Sequence, residues 1–173
     1  AIKKTTGKIL TWNKKPINTV YHATNGGVMA SVDEAWSINQ VPYLQMRLDG
    51  PKHWTRSVDL PLSNEKYLKS FLFSKSEAFG SDHPLFRWER TIRSSQISKQ
   101  LNKAQKVGSS FYPYKIEVLR RGSSGRVTSL KIEGRTGSEI LLKLDDIRRV
   151  LRELPSTLFV VKEIKEGKWL FSG

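Results

Sequence analysis

Residues 114–144 read YKIEVLRRGSSGRVTSLKIEGRTGSEILLKL, and they contain three strand patterns separated by two turns. Apolar and polar residues alternate over residues 114–120, and the loop at 121–125 holds two glycines, which give the backbone the freedom that a tight hairpin needs. Further strands are expected over residues 126–133 and 138–144, with a glycine-bounded turn between them. This stretch therefore predicts a three-stranded antiparallel sheet.

Further elements flank this stretch on both sides. A strand is expected over residues 86–92 and a helix over residues 94–103, where apolar residues recur at helical spacing. After the sheet, a helix is expected over residues 146–154 and a last strand over residues 157–164. The order β-α-β-β-β-α-β with hairpin connections is typical of an α+β fold on an antiparallel sheet.

The first half of the chain is less regular. Strands are expected over residues 7–12 and 17–22, and an irregular loop over residues 44–62. A helix over residues 64–73 follows, because its apolar residues form one stripe behind a Ser-Asn cap. The whole chain is thus predicted to be α+β, with mainly antiparallel strands and about three helices.

Length and composition are those of a globular protein. The chain has 173 residues, of which 38% are hydrophobic and 27% charged, and a chain of this size buries roughly 68–70% of its unfolded surface. A Gly-Ser-Asp-His-Pro run at residues 80–84 indicates two small lobes, residues 1–80 and 81–173. The chain contains no cysteine, which excludes disulfides and thiolate chemistry within it. No apolar run reaches the ~18 residues of a membrane span, and the N-terminal residues show no signal peptide.

Net charge is the strongest bias in the composition. Thirty Lys and Arg residues against 16 Asp and Glu residues give a formal charge of +14 and a pI near 10.1. Such a field attracts polyanions with an affinity that falls as salt rises, so nucleic acid, anionic wall polymers and phospholipid surfaces all qualify. Nucleic acid is the least favoured of these partners, because the sequence contains no RNP pattern, helix-turn-helix or zinc finger.

One segment carries the residue types of a carbohydrate site. YHATNGG at residues 21–27 leads into a turn, and EAW at 34–36 and PYL at 42–44 follow it. Asn-Gly and Gly-Gly pairs supply the positive φ that tight turns need. Aromatic rings that stack on sugars, together with short polar groups that bind sugar hydroxyls, are concentrated around this turn.

These motifs resemble the SpoIID/LytB family of bacterial cell-wall proteins. In that family the segment is similar to Tyr-His-Ser-Thr-x-Gly-Gly, then an acidic residue, any residue and Trp, and then Pro-Tyr-Leu; Ala23 stands here in the Ser position. Segments at residues 86–91, 118–127, 146–151 and 156–159 are also similar to the family. The likeness runs from about residue 5 to the end, which identifies residues 1–80 as a partial core lobe and residues 81–173 as the α+β lobe of one SpoIID-like domain.

The resemblance implies action on peptidoglycan glycan, either lytic cleavage of strands without stem peptides or enhancement of a wall amidase. The expected partners are glycan strands, a cell-wall amidase or other envelope proteins, and the expected location is the exported bacterial cell envelope, periplasm or a forespore-type compartment. The family's catalytic Glu lies in a segment that nothing in this chain matches, so the chain alone is expected to be inactive. A non-catalytic wall-binding or partner-binding module is the alternative, and no cofactor is expected.

Eight residues are candidates for substrate binding, on the resemblance and on their own chemistry: His22, Thr24, Gly26, Gly27, Glu34, Trp36, Tyr43 and Trp54. No catalytic residue is assigned, and no metal site is expected, because neither of the other two histidines stands at a ligand spacing from His22.

Each candidate has a structural alternative. His22 either lines a sugar groove, binds a metal or is a hydrogen-bonded residue at a strand end. Glu34 stands three residues after Ser31, which predicts a capping box. The loop at residues 122–125 is either a plain hairpin turn or a backbone cradle for phosphate. Aromatic residues are most often core residues, but Trp54 lies in a polar stretch and is expected to be exposed, whereas three others are expected to be packed: Trp12, Trp88 and Trp169.

Overall fold

The computed structural model describes residues 2–36 and 39–173, and these residues form an α+β fold, as predicted. The helices are α1 Ile2–Thr5, α2 Val32–Ala35, α3 Lys52–Ser57, α4 Glu65–Phe73, α5 Ser94–Lys103 and α6 Asp145–Val150. The strands are β1 Thr11–Trp12, β2 Lys15–Pro16, β3 Val28–Met29, β4 Arg47–Leu48, β5 Glu89–Arg93, β6 Pro113–Arg121, β7 Val127–Gly134, β8 Glu139–Lys143, β9 Val160–Lys165 and β10 Lys168–Ser172. None of the helices in these residues is long and apolar enough to cross a bilayer.

Two three-stranded antiparallel sheets form the C-terminal half. The first has the order β6-β7-β8 and contains the strands that the opening stretch predicts. The second has the order β5-β10-β9, and its central strand β10 lies beyond residues 157–164, the last long strand expected from the sequence. Smaller two-stranded pairs, β1-β2 and β3-β4, lie in the N-terminal half.

The larger hydrophobic core fills the space between these sheets and helices α5 and α6. Its fully buried members include Ile97 and Leu101 of α5, Ile147 of α6, and the ring pair Phe159 and Phe171, whose centroids lie 5.3 Å apart. The helical spacing of Ile97 and Leu101 places both side chains on one face of α5, which explains why the sequence predicted this helix well.

A second, smaller core lies under α4. Asn64 begins this helix by accepting the backbone N–H groups of Lys66 (2.9 Å) and Tyr67 (3.4 Å), and Leu68 lies fully buried on its inner face. Leu158, from the second half of the chain, also belongs to this core. The division into lobes at residue 80 therefore stays a prediction.

Several local predictions in the first half were wrong. Residues 17–22 do not form a strand, and the supposed loop at 44–62 contains helix α3 and strand β4. Trp54 of α3 is only 7% exposed, because its indole packs over Gly50 and against Phe71. Trp12 is 47% exposed, since the β1-β2 hairpin that carries it is a two-residue pair at the surface.

Candidate functional site

The glycine turn at residues 25–28 is held by side-chain hydrogen bonds. Gly26 and Gly27 have φ of +68° and +90°, as the sequence predicted. Asn25 accepts the Gly27 N–H at 2.8 Å with its Oδ1 and donates its Nδ2 to Asp49 at 2.6 Å. Thr24 Oγ1 accepts the Gly26 N–H at 3.2 Å. These side-chain bonds fix the direction in which the chain leaves the turn.

Two arginines from distant parts of the sequence hold this turn through its carbonyl groups. Arg87 donates to Gly26 O at 2.9 Å, and its guanidinium lies 4.2 Å from the centre of the Phe86 ring. Arg126 donates to Asn25 O at 3.1 Å, and burial lowers the pKa of each guanidinium to about 10. Both arginines therefore remain charged at neutral pH.

Sequence reasoning did not assign roles to these arginines. The signal was weak, because an arginine between two aromatic residues, or at the end of a hairpin, has many uses. The groups that these arginines bind are main-chain carbonyls, which every residue has, so no residue type in the sequence indicates the contact.

Glu34 joins helix α2 to the β6-β7 hairpin. The side chain is 6% exposed, and its carboxylate accepts the Ser123 hydroxyl at 2.7 Å, the Ser124 N–H at 3.2 and 3.3 Å, and the Ser124 hydroxyl. Gly122 is required here, because a Cβ at that position would lie 2.2 Å from the carboxyl carbon of Glu34.

The predicted capping box is therefore wrong. Ser31 does occupy the N-cap position of α2, but its side chain makes no capping bond, and the Glu34 carboxylate faces the hairpin instead. Residues 122–125 form the hairpin turn between β6 and β7, in agreement with the first of the two interpretations. The hydroxyl and N–H groups of this turn bind the Glu34 carboxylate and not a phosphate.

A groove of about 730 Å³ opens beside the turn. Its walls come from residues 20–26, 35–36 and 155–158, and from the side chains of Arg126 and Arg148. Four of the eight candidates line it: His22, Thr24, Gly26 and Trp36. The other four do not: Gly27, Glu34, Tyr43 and Trp54.

The four candidates outside the groove have structural contacts. Gly27 lies under the turn, where a Cβ would be 2.9 Å from the Ala78 Cβ, and Glu34 is held in the hairpin. Tyr43 packs against Trp12, with ring centroids 6.2 Å apart. Trp54 belongs to the smaller core, so the expectation of an exposed stacking platform at this position was wrong.

Aromatic side chains are accessible in the groove. Tyr21 is 95% exposed and Trp36 is 39% exposed, and both line the groove with the exposed His22. Tyr21 was part of the motif but was not selected as a site residue. An exposed ring beside polar groups is the arrangement that stacks on a sugar face.

The groove is electropositive at one end. Arg149 pairs with Asp145, one turn earlier in α6. In the described residues, Arg148 makes no hydrogen bond or ion pair, and its charge contributes to the lowered pKa of Arg126. Arg148 is thus a cation that is available to an anionic group in the groove. Residues 2–36 and 39–173 contain no cluster of three or more His, Asp and Glu side chains that could hold a metal ion.

A comparison with protein families places most of this structure in one family. The model for a domain of unknown function, DUF8618, matches residues 30–173. Searches of curated proteins and of solved structures found no match. The matched segment covers well over half of the chain and includes Trp36, Glu34, the β6-β7 hairpin and Arg148. The chain therefore belongs to the DUF8618 family.

Proposed function

We propose that this chain binds peptidoglycan glycan strands in the groove, as the glycan-holding part of a bacterial cell-wall protein of the SpoIID/LytB type. The observation that carries the proposal is the convergence of two exposed rings, Tyr21 and Trp36, with His22, Thr24 and Arg148 around one groove. The sequence resemblance suggests the substrate class, and the exposed rings and polar groups of the groove support the proposal.

The size and lining of the groove suit a saccharide. Its volume of about 730 Å³ lies within the roughly 300–1,000 Å³ of typical ligand clefts. Sugar rings present apolar C–H faces to aromatic rings and hydroxyls to polar groups, and Tyr21, Trp36 and Thr24 provide partners of both kinds.

The charge of the groove favours strands that have lost their stem peptides. Removal of the peptide from such a strand leaves a carboxylate on every second sugar. Arg148 has no partner among the described residues, and an arginine binds a carboxylate through two parallel N–H bonds. Stripped strands are therefore expected to bind more tightly than strands that carry peptides.

Binding, and not cleavage, is the activity that the groove supports. Glycan cleavage needs a carboxyl group that is free to give and take a proton. Among the described lining residues, Asp145 is the carboxylate, and Arg149 holds it in an ion pair. Glu34 is committed to the hairpin, where its carboxylate accepts three donor groups.

Co-sedimentation with purified peptidoglycan, intact and stripped of peptides, tests the proposal across a salt series. The Tyr21→Ala/Trp36→Ala double variant should lose most binding. The matched control is Phe79→Ala, which removes a ring that is exposed but lies outside the groove. Arg148→Gln should reduce the preference for stripped strands and leave binding to intact strands nearly unchanged.

The outcomes separate the alternatives. Salt-tolerant binding that the groove variants abolish supports the proposal. Binding that disappears with salt, or that duplex DNA displaces, would show that net charge alone drives association. A folded protein that binds no wall preparation would favour a partner-binding module, of the kind that enhances an amidase.

A further inference from the structure

The two three-stranded sheets present very different charges to solvent. On the β6-β7-β8 sheet, lysines and glutamates alternate and pair, with Lys131–Glu133 at 2.7 Å, Lys115–Glu133 at 3.2 Å and Lys131–Glu117 at 3.3 Å. The lysines and glutamates in the middle of that face therefore have opposite charges beside them, whereas Lys143 and Arg120, which flank Ser129 on the same face, have no ion pair in the described residues.

Two rows of paired residues at the open end of the β5-β10-β9 sheet contain four cations and no acidic residue. Strand register places Arg93, Lys168 and Lys165 directly opposite one another across the three strands. The next row on the same face consists of Thr91, Leu170 and Lys162. We call Arg93, Lys162, Lys165 and Lys168 the cationic face; all four are exposed, and none of them has an ion pair within the described part of the chain.

Nearby carboxylates are committed to other groups. Glu163 accepts the Gly167 N–H at 2.8 Å, and Glu166 pairs with Arg135 at 2.5 Å. Glu89, at the opposite end of the sheet, accepts the Ser172 hydroxyl at 3.1 Å. Glu163 and Glu89 keep their negative charge, but in the described residues none of these carboxylates forms an ion pair with the cationic face.

A row of like charges is unfavourable for the fold itself. Like charges directly opposite on neighbouring strands destabilise a sheet, and a strand spacing of about 4.8 Å brings the three cations of the first row within roughly 10 Å of one another. A row of cations that works against folding, and that has no ion pair in the described residues, points to an anion outside the chain.

We propose that the cationic face docks on an anionic phospholipid surface. The four cations lie in two adjacent rows of one sheet face, so several of them can contact the headgroups of one bilayer surface together. Three of the four cations are lysines, whose flexible stems reach separate headgroups, and the half-buried Leu170 lies among them. The six residues of the two rows include no aromatic ring on which nucleic-acid bases could stack.

Vesicle co-sedimentation tests this proposal on the full chain. Binding to phosphatidylcholine vesicles with and without phosphatidylglycerol is compared for the wild type and for the Lys162→Gln/Lys165→Gln/Lys168→Gln variant. Each basic residue near an anionic surface contributes about fivefold in affinity, so the triple variant should bind about 100-fold more weakly. The matched control neutralises three exposed lysines elsewhere: Lys66, Lys75 and Lys103.

A single charge reversal keeps the test independent of folding. Lys165→Glu gives Lys168 an opposite charge across the strands, so its melting temperature should equal or exceed that of the wild type while vesicle binding falls. The proposal does not depend on the groove, because groove variants should bind vesicles normally. Equal losses in the triple variant and its control would overturn it, as would losses seen with duplex DNA and not with vesicles.

Discussion

Replacement of Glu34 by alanine should destabilise the protein, because the carboxylate is the acceptor for three donor groups of the β6-β7 hairpin. Ser124 is fully buried, so its N–H and hydroxyl lose their acceptor and gain no water, at about 1–3 kcal/mol for each unsatisfied group. Ser123 is exposed and can bond to water, so its loss adds little. The free energy of unfolding should fall by about 2–6 kcal/mol, the sum for the two Ser124 groups.

Urea denaturation followed by circular dichroism measures this loss, with Glu166→Ala as the matched control. The Glu166 carboxylate is 82% exposed and pairs at the surface, so its removal should leave the midpoint unchanged. A double-mutant cycle with Ser124→Ala should show non-additivity, because both changes remove the bond from the Ser124 hydroxyl to the Glu34 carboxylate. If Glu34→Ala lowers the free energy of unfolding by less than about 1 kcal/mol, or if the effects of the two substitutions add, Glu34 does not link α2 to the hairpin as described.

Three further predictions concern the core and the charged sheet. Gly27→Ala should cost about 1–3 kcal/mol in urea denaturation, because φ is +90° there, and full stability would contradict the turn geometry. Trp54→Ala should cost about 3–5 kcal/mol, whereas Phe79→Ala should not change stability measurably; similar effects of the two would mean that Trp54 is not a core residue. The pKa of Glu133 is lowered to about 2, chiefly by its hydrogen bond with Lys131. The stabilisation that ionised Glu133 provides should therefore be complete above the unfolded pKa of about 4.3 and should be lost as the pH falls through about 2. An NMR titration of Glu133 with an ordinary midpoint would exclude this network.

The parts of the fold that the sequence predicted are those with local causes. The β6-β7 hairpin follows from strand alternation and two glycines, and α4 and α5 follow from a cap and an apolar stripe. The Gly26-Gly27 turn likewise follows from residues that tolerate positive φ. In each case the residues that determine the element lie within the element or directly beside it in the sequence.

The parts that the sequence did not predict depend on contacts between distant residues. The local spacing of Glu34 predicts a cap, but donors some 90 residues away bind the carboxylate. Trp54 has polar neighbours in sequence, yet the fold places it over Gly50 and against Phe71. The candidate site could be predicted only in part. The sequence motif predicts the turn at residues 25–27, but Arg126 and Arg148 reach the groove through tertiary contacts that the sequence does not show.

The most direct test of glycan binding in the groove is an NMR titration of the tryptophan indole N–H signals with soluble, peptide-free glycan fragments. The chain has five tryptophans, and Trp36 and Trp88 line the groove, whereas Trp54 and Trp169 are buried in the cores. The Trp36 indole, which is exposed, should shift in a saturable way, while the Trp54 and Trp169 signals stay in place. An unchanged Trp36 signal at saturating glycan, with the protein folded, would contradict glycan binding in this groove.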